Sequence, residues 1–206
     1  MILRLLILSL FISLPRLAAA EPYATELNDA WRARITALAA PKTLSAPFTE
    51  SRFTPLKKKP VVVEGVVRIA RDRGLSLAYS QTRAPVVILD ERGLLLRHAD
   101  GREQSAPPQA ESDLRLLHAL FAFDLVALEK VYALTASDAP DGTWTLAFSR
   151  RPDTDTPYRE LTLSGEASRL TGIGLLKTDK QKIEIRLEPP QINPVFTPEE
   201  IARYFR

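Results

Sequence analysis

The 206-residue chain contains no cysteine. That excludes a disulfide framework, a thiol nucleophile and a cysteine-ligated metal. It also leaves no cysteine that could carry a lipid after an export signal. Histidine is almost as scarce, with only His98 and His118. Nothing places a second histidine or a carboxylate at ligand spacing beside His118, so no metal site is expected. No G-x-S-x-G elbow occurs, and Gly172-Ile173-Gly174 lacks the third glycine and the following helix of a dinucleotide loop. Asp153 and Asp155 sit in a proline-rich loop and read as solvated. The sequence therefore points away from an enzyme, and no cofactor is expected.

A long hydrophobic run is also missing beyond the N-terminus. Residues 1–20 have a charge at Arg4, an apolar stretch from Leu5 to Leu14, a break at Pro15 and the small residues Ala18-Ala19-Ala20. This is the pattern of a cleaved secretory signal, and its apolar stretch is too short for a spanning helix, which needs about 20 apolar residues. Residues 21–206 then form one domain, large enough to bury a core without covalent staples. Without Arg4 and Arg16 the balance is 26 basic against 25 acidic residues. Such a small excess does not make a nucleic-acid footprint, and no nucleic-acid partner is expected. Lys57-Lys58-Lys59 is the one dense basic run, read as a solvated hairpin tip before Pro60.

What is present is alternation. Val61, Val63, Val67 and Ile69 share one side of a strand, with Glu64, Arg68 and Ala70 on the other. The pattern resumes at Leu75, Leu77 and Tyr79, then at Val86–Leu89, an Asp90-Glu91-Arg92-Gly93 turn, and Leu94-Leu95-Leu96. The first strand is expected from Phe48, and the run of strands to about His98. A second set spans 131–135, 143–149, 159–163, 170–177 and 182–187, with Trp144, Leu146 and Phe148 on one face. Asp141-Gly142 and Gly165-Glu166 read as hairpin turns, and 101–109 reads as a loop.

Helical spacing appears in three places. Leu27, Trp31, Ile35 and Leu38 form a stripe in a helix expected over 22–40 and ended by Pro41. From Glu111, the residues Leu114, Leu117, His118, Leu120 and Phe121 make a wide apolar face, followed by a further turn over 124–129. Thr197 and Pro198 open a short closing helix as N-cap and first helical residue. The layout predicts an α+β, mainly β fold: one curved antiparallel sheet with helices covering its concave face.

On these residues the chain resembles the LolA-like family, the periplasmic outer-membrane lipoprotein carrier LolA and its relatives. The likeness is carried by Phe48-Thr49-Glu50-Ser51, by Glu64-Gly65 opening the second strand, by Arg73 through Tyr79, and by Ile88 through Leu94. It continues in Trp144-Thr145-Leu146, Leu161-Thr162-Leu163 and Leu170-Thr171-Gly172-Ile173. The resemblance implies a half-open barrel of about eleven strands with helices as a lid over the concave face. It also implies a monomeric carrier that shields acyl chains of a lipoprotein or another acylated lipid. Cargo would pass from an inner-membrane exporter to an outer-membrane acceptor protein across the periplasm. Arg73 matches the family's arginine that holds the lid closed. Asp72, Gly74 and Tyr79 depart from the family pattern around it, and Arg71 is the alternative latch. The lipid-binding or lid set implied is Arg73, Leu77, Tyr79, Trp31, Ile35, Leu114, Leu117, Leu120, Phe121, Trp144 and Phe148. The other reading of the same fold is a non-transporting envelope domain that senses lipid or binds a protein partner.

Overall fold

The computed structural model describes residues 27–105 and 108–206, with the backbone alone over 108–114. The expected export signal at 1–20 and the side chain of Leu114 lie outside the described residues. Helix α1 (Asp29–Ala39) leads into β1 (Thr43–Phe53), β2 (Val61–Ala70), β3 (Gly74–Tyr79), β4 (Val86–Asp90), β5 (Gly93–Arg97) and β6 (Glu103–Ser105). Helices α2 (Pro108–Ala122) and α3 (Leu125–Glu129) follow. The second wing is β7 (Tyr132–Asp138), β8 (Thr143–Arg150), β9 (Glu160–Glu166), β10 (Arg169–Thr178) and β11 (Gln181–Leu187), and the chain closes with β12 (Gln191–Ile192) and α4 (Pro198–Tyr204).

All strands belong to one antiparallel sheet in the order β6-β5-β4-β3-β2-β1-β11-β10-β9-β8-β7, with β12 added to β1. The path ends at β6 and β7 without joining them, so the barrel is open. It is strongly curled. Five strand spacings separate β4 from β10, about 24 Å in a flat sheet, yet Val87 of β4 and Leu175 of β10 line the same cavity.

The alternation read from the sequence maps onto this curl. Ala46, Phe48 and Glu50 of β1, Leu75 and Leu77 of β3, Trp144, Leu146 and Phe148 of β8, and Leu161 and Leu163 of β9 are buried. Apart from Glu50 they join one core with Trp31 of α1 and Leu120, Phe121 and Phe123 around the end of α2. Asn28 caps α1 by accepting from the Trp31 amide at 3.0 Å, and Asp124 caps α3 through the Ala127 amide. Phe123, at φ 55°, turns the chain between α2 and α3 and sends its ring into the core.

Several details differ from the sequence reading. The first strand begins at Thr43, not Phe48, and runs through Pro47. The Pro47 carbonyl accepts from the Glu188 amide. Its nitrogen therefore faces the same side, in the gap between the β11 pairing at Leu187 and the β12 pairing at Gln191. No ladder bond to β2 is lost. The expected loop over 101–109 contains the edge strand β6, and α2 begins at Pro108 rather than Glu111. Gly65 lies within β2, not at its start, and a glycine is needed there because the Phe48 ring lies against it; a Cβ would meet Phe48 Cζ at 2.7 Å.

Gly165 is a strand residue too, and the turn falls at Ala167, which takes φ 49°. The glycine is needed because the Trp144 indole covers it: a Cβ would stand 2.1 Å from Cζ2 and 2.3 Å from the Arg169 carbonyl. Gly165→Ala should therefore destabilise the fold by about 1–3 kcal/mol. The check is a urea midpoint that falls with an unchanged slope.

The closing helix does not join the lid. Tyr204 and Phe205 pack with Ala70, Val86, Ile88 and Leu95 on the convex face, a cluster separate from the main core. A capping box between Thr197 and Glu200 starts α4. Arg97 Nη1 donates to the Ala202 and Phe205 carbonyls, Arg206 makes two bonds to Asp90, and Arg68 lies 3.8 Å over the Tyr204 ring. Ala70 of β2, Val86 and Ile88 of β4, and Leu95 of β5 are thereby removed from water.

Candidate functional site

The concave face is not filled. A cavity of about 370 Å³ lies between β1, β3, β4, β10, β11 and α2. Its wall is mostly hydrocarbon: Phe48, Leu77, Val87, Leu175, Ile183 and Ile185 from the sheet, with Leu117 and Phe121 from α2 above. The volume falls within the range of small-molecule sites, roughly 300–1,000 Å³. A second cavity, of about 430 Å³, lies towards the other end of the same face, between Leu38 of α1, Leu44 and Ala46 of β1, Ile69, Leu170 and Leu187. Phe121 borders both and stands as the partition.

Besides Tyr158, three polar side chains line the first cavity and bond to one another. Glu50 and Arg52 are two residues apart on β1, so both point to the concave side with Phe48. Tyr79 of β3 reaches them across Gly65 of β2, its register partner, which is itself level with Phe48. Arg52 Nε donates to Glu50 Oε1 at 2.5 Å, the Tyr79 hydroxyl donates to Glu50 Oε2 at 3.1 Å, and Arg52 Nη2 donates to the Tyr79 oxygen at 3.3 Å. The Phe48 and Tyr79 rings meet edge to face, 5.6 Å apart. Glu50 is almost fully buried, whereas Arg52 is 44% exposed and reaches the opening. A buried carboxylate is tolerated because both of its oxygens are paired.

This closed triangle holds Tyr79 and Arg52 in their protonated forms. Burial, followed by the Glu50 charge, pushes the Tyr79 phenol well above its ordinary value. The bond to Glu50 likewise strengthens the hold of Arg52 on its proton, against the opposing effect of burial. Tyr79 is therefore the neutral donor throughout the physiological range. Because folding raises its pKa, the native state keeps a proton that the unfolded chain gives up above about pH 10. Its contribution is whole below that pH and is lost as pH rises further. Stability should fall on the alkaline side of pH 10, and Tyr79→Phe should flatten that limb; equal slopes in the two proteins, measured by denaturant midpoints from pH 8 upward, would contradict it.

The residues singled out from sequence fall into three groups. Leu77, Tyr79, Leu117 and Phe121 line the first cavity. Trp31, Leu120, Trp144 and Phe148 are packed core, with Ile35 half-buried against them. Trp31 and Trp144 meet edge to face at 6.1 Å, and the Arg34 guanidinium stacks 4.5 Å over Trp31 while pairing with Asp138 at 2.6 Å. That cluster fastens α1 to β7 and β8. Arg73 lies apart, in the β2–β3 turn, 3.6 Å from Asp72, bordering a polar groove with Arg115, His118 and Asp124. Its neighbour Arg71 donates to the Pro41 carbonyl just after α1. Burial, with Arg71 adding to it against the charge of Asp124, lowers the His118 pKa. Glu50 and Arg52 were not singled out. The signal was a pair of charges in phase with Phe48, interpretable only once β3 is known to bring Tyr79 beside them.

No protein-family model matches the chain, and no curated protein matches it in sequence. Solved structures are similar along most of its length. An uncharacterized conserved protein from Thermus thermophilus has 9% identity and a TM-score of 0.48, covering 84% of this chain and 91% of its own. A domain described as a putative outer membrane lipoprotein-sorting protein from Vibrio parahaemolyticus has 7% and 0.47, covering 82% and 92%. A LolA superfamily protein from Nitrosomonas europaea has 8% and 0.44, covering 85% and 97%. At fewer than one identical residue in ten, these likenesses carry no argument about what the chain does.

Proposed function

We propose that the protein is a periplasmic carrier that shelters an acyl chain of a lipoprotein or other acylated lipid in its concave cavity and hands it from an inner-membrane donor to an outer-membrane acceptor. The observation that carries this reading is a hydrocarbon-lined cavity left open beneath helices, with a second one beyond a single phenylalanine ring. Cores normally close such space, since lost contacts cost stability. A tail in water costs about 0.8 kcal/mol per methylene, so a long chain needs shelter worth on the order of 10 kcal/mol to cross an aqueous gap. Release requires a competitor for the same surface. Leu117 and Phe121 of α2 already occupy it in part, so the lid and the cargo exchange for one another.

The test is mass spectrometry of solvent extracts from protein purified out of the periplasm of a producing cell. The expected result is a near-stoichiometric acylated species. A preparation that is repeatedly bare, and that stays bare after incubation with acyl lipids, overturns the carrier reading.

A further inference from the structure

We propose that the cavity selects amphiphiles with an oxyanion headgroup, a carboxylate or a phosphate, which the Arg52 guanidinium grips at the opening while the tail lies against Phe48 and Leu77. The inference rests on the carrier reading and adds to it the class of headgroup.

A guanidinium is a planar fork with five N–H donors. In Arg52 the edge formed by Nε and Nη2 is taken by Glu50 and Tyr79. These two partners hold the plane still. The other edge, Nη1 with the second hydrogen of Nη2, makes no hydrogen bond among the described residues, and the side chain is 44% exposed. Two parallel N–H donors in a fixed plane match the two oxygens of a carboxylate or phosphate. Glu50 thus acts as a positioning residue for Arg52.

The surrounding charge has the right sign. Arg52 sits near the end of β1, where Phe53 is level with Lys182 of β11. The β1–β2 and β10–β11 connections are therefore side by side, and they hold Lys57, Lys58, Lys59 and Lys180 against Asp179 alone. A cationic head would be repelled there, and a neutral head would leave the prepared edge unused.

The experiment uses four probes with one tail: dodecanoate, dodecyl phosphate, dodecanol and dodecyltrimethylammonium, each below its micelle concentration. Each displaces the neutral fluorophore N-phenyl-1-naphthylamine from the parent protein, from Arg52→Gln, and from Glu50→Gln/Arg52→Gln. The double variant is included because Arg52→Gln alone leaves Glu50 buried without its counter-charge. Dodecanoate, dodecyl phosphate or both should act at concentrations at least about tenfold lower than dodecanol, the effect of charge-assisted hydrogen bonds. Which of the two leads separates carboxylate from phosphate. The double variant should lose that preference and keep dodecanol binding within about twofold. If dodecanol matches the acids, or the preference survives in the double variant, the headgroup assignment falls and the carrier reading stands. If none of the four displaces the fluorophore, both fall.

Discussion

Trp144→Ala is expected to destabilise the protein by about 3–5 kcal/mol, the cost of deleting a fully buried large aromatic. The indole is 1% exposed and covers Gly165, and its Nε1 donates to the Ala167 carbonyl at 2.9 Å, across the β9–β10 turn. It also supports the ring of Trp31, so the edge-to-face contact, about 0.5–1.5 kcal/mol beyond area, goes with it. Arg34 stacks on Trp31 and reaches within 6.0 Å of the Trp144 ring, which ties the helix to this one cluster. Removing Trp144 should therefore loosen α1 specifically. The chain has two tryptophans, so the variant's fluorescence reports Trp31 alone and should show a solvent-exposed, red-shifted spectrum under native conditions. A stability loss below about 1 kcal/mol with an unshifted Trp31 spectrum would mean that α1 is held elsewhere.

This dependence bears on the lid. Leu38 of α1 lines the second cavity, while Leu117 of α2 lines the first. Helix α1 borders the second cavity alone, whereas α2 borders the first and, through Phe121, the second as well. They are also fastened differently: α1 by the tryptophan pair with Arg34 and Asp138, α2 by Leu120 and Phe121 pressed into the core. Arg71, bonded to the Pro41 carbonyl, ties the β2–β3 turn to the exit of α1, whereas Arg73 has Asp72 as its ion-pair partner.

The parts of the fold visible in sequence were those where burial imposes a period. Val61, Val63, Val67 and Ile69, or Ile183, Ile185 and Leu187, alternate because one face meets the core, and the alternation survives without any knowledge of partners. The start of β1 was hidden because Thr43-Leu44-Ser45-Ala46-Pro47 is small, polar and proline-bearing, and becomes a strand only through β2 and β12. Strand β6 is three exposed residues on an edge, with no apolar member to mark it. The face taken by α4 was equally hidden. Ala70, Ile88 and Leu95 are in phase with the convex side, and whether such residues face water or a helix depends on a segment a hundred residues away. The same holds for the site: the apolar wall could be read from alternation, but the Glu50–Arg52–Tyr79 triangle exists only because the strand register places two chemically ordinary strands level with each other.

Phe121→Ala should move stability and binding in opposite directions, and that is what separates a removable partition from ordinary core. Its ring is 6% exposed and borders the cavities of about 370 and 430 Å³. As a core deletion it should cost about 3–5 kcal/mol and lower the Tm of the unliganded protein. As a partition, its loss joins two spaces into one trough, and each further methylene that the trough takes from water adds about 0.8 kcal/mol of binding. In a series of alkanoates from octanoate to octadecanoate, the parent should reach a plateau once the first cavity is full. The variant should go on gaining affinity for several more methylenes. Ligand binding to the native state raises its stability by RT ln(1 + [L]/Kd), about 2.7 kcal/mol at a hundredfold excess over Kd. The longest chains should therefore restore much of the Tm that the substitution removes. A variant whose Tm falls while the plateau stays at the parent's chain length would show that the two cavities are separate voids, and that Phe121 is core and nothing more.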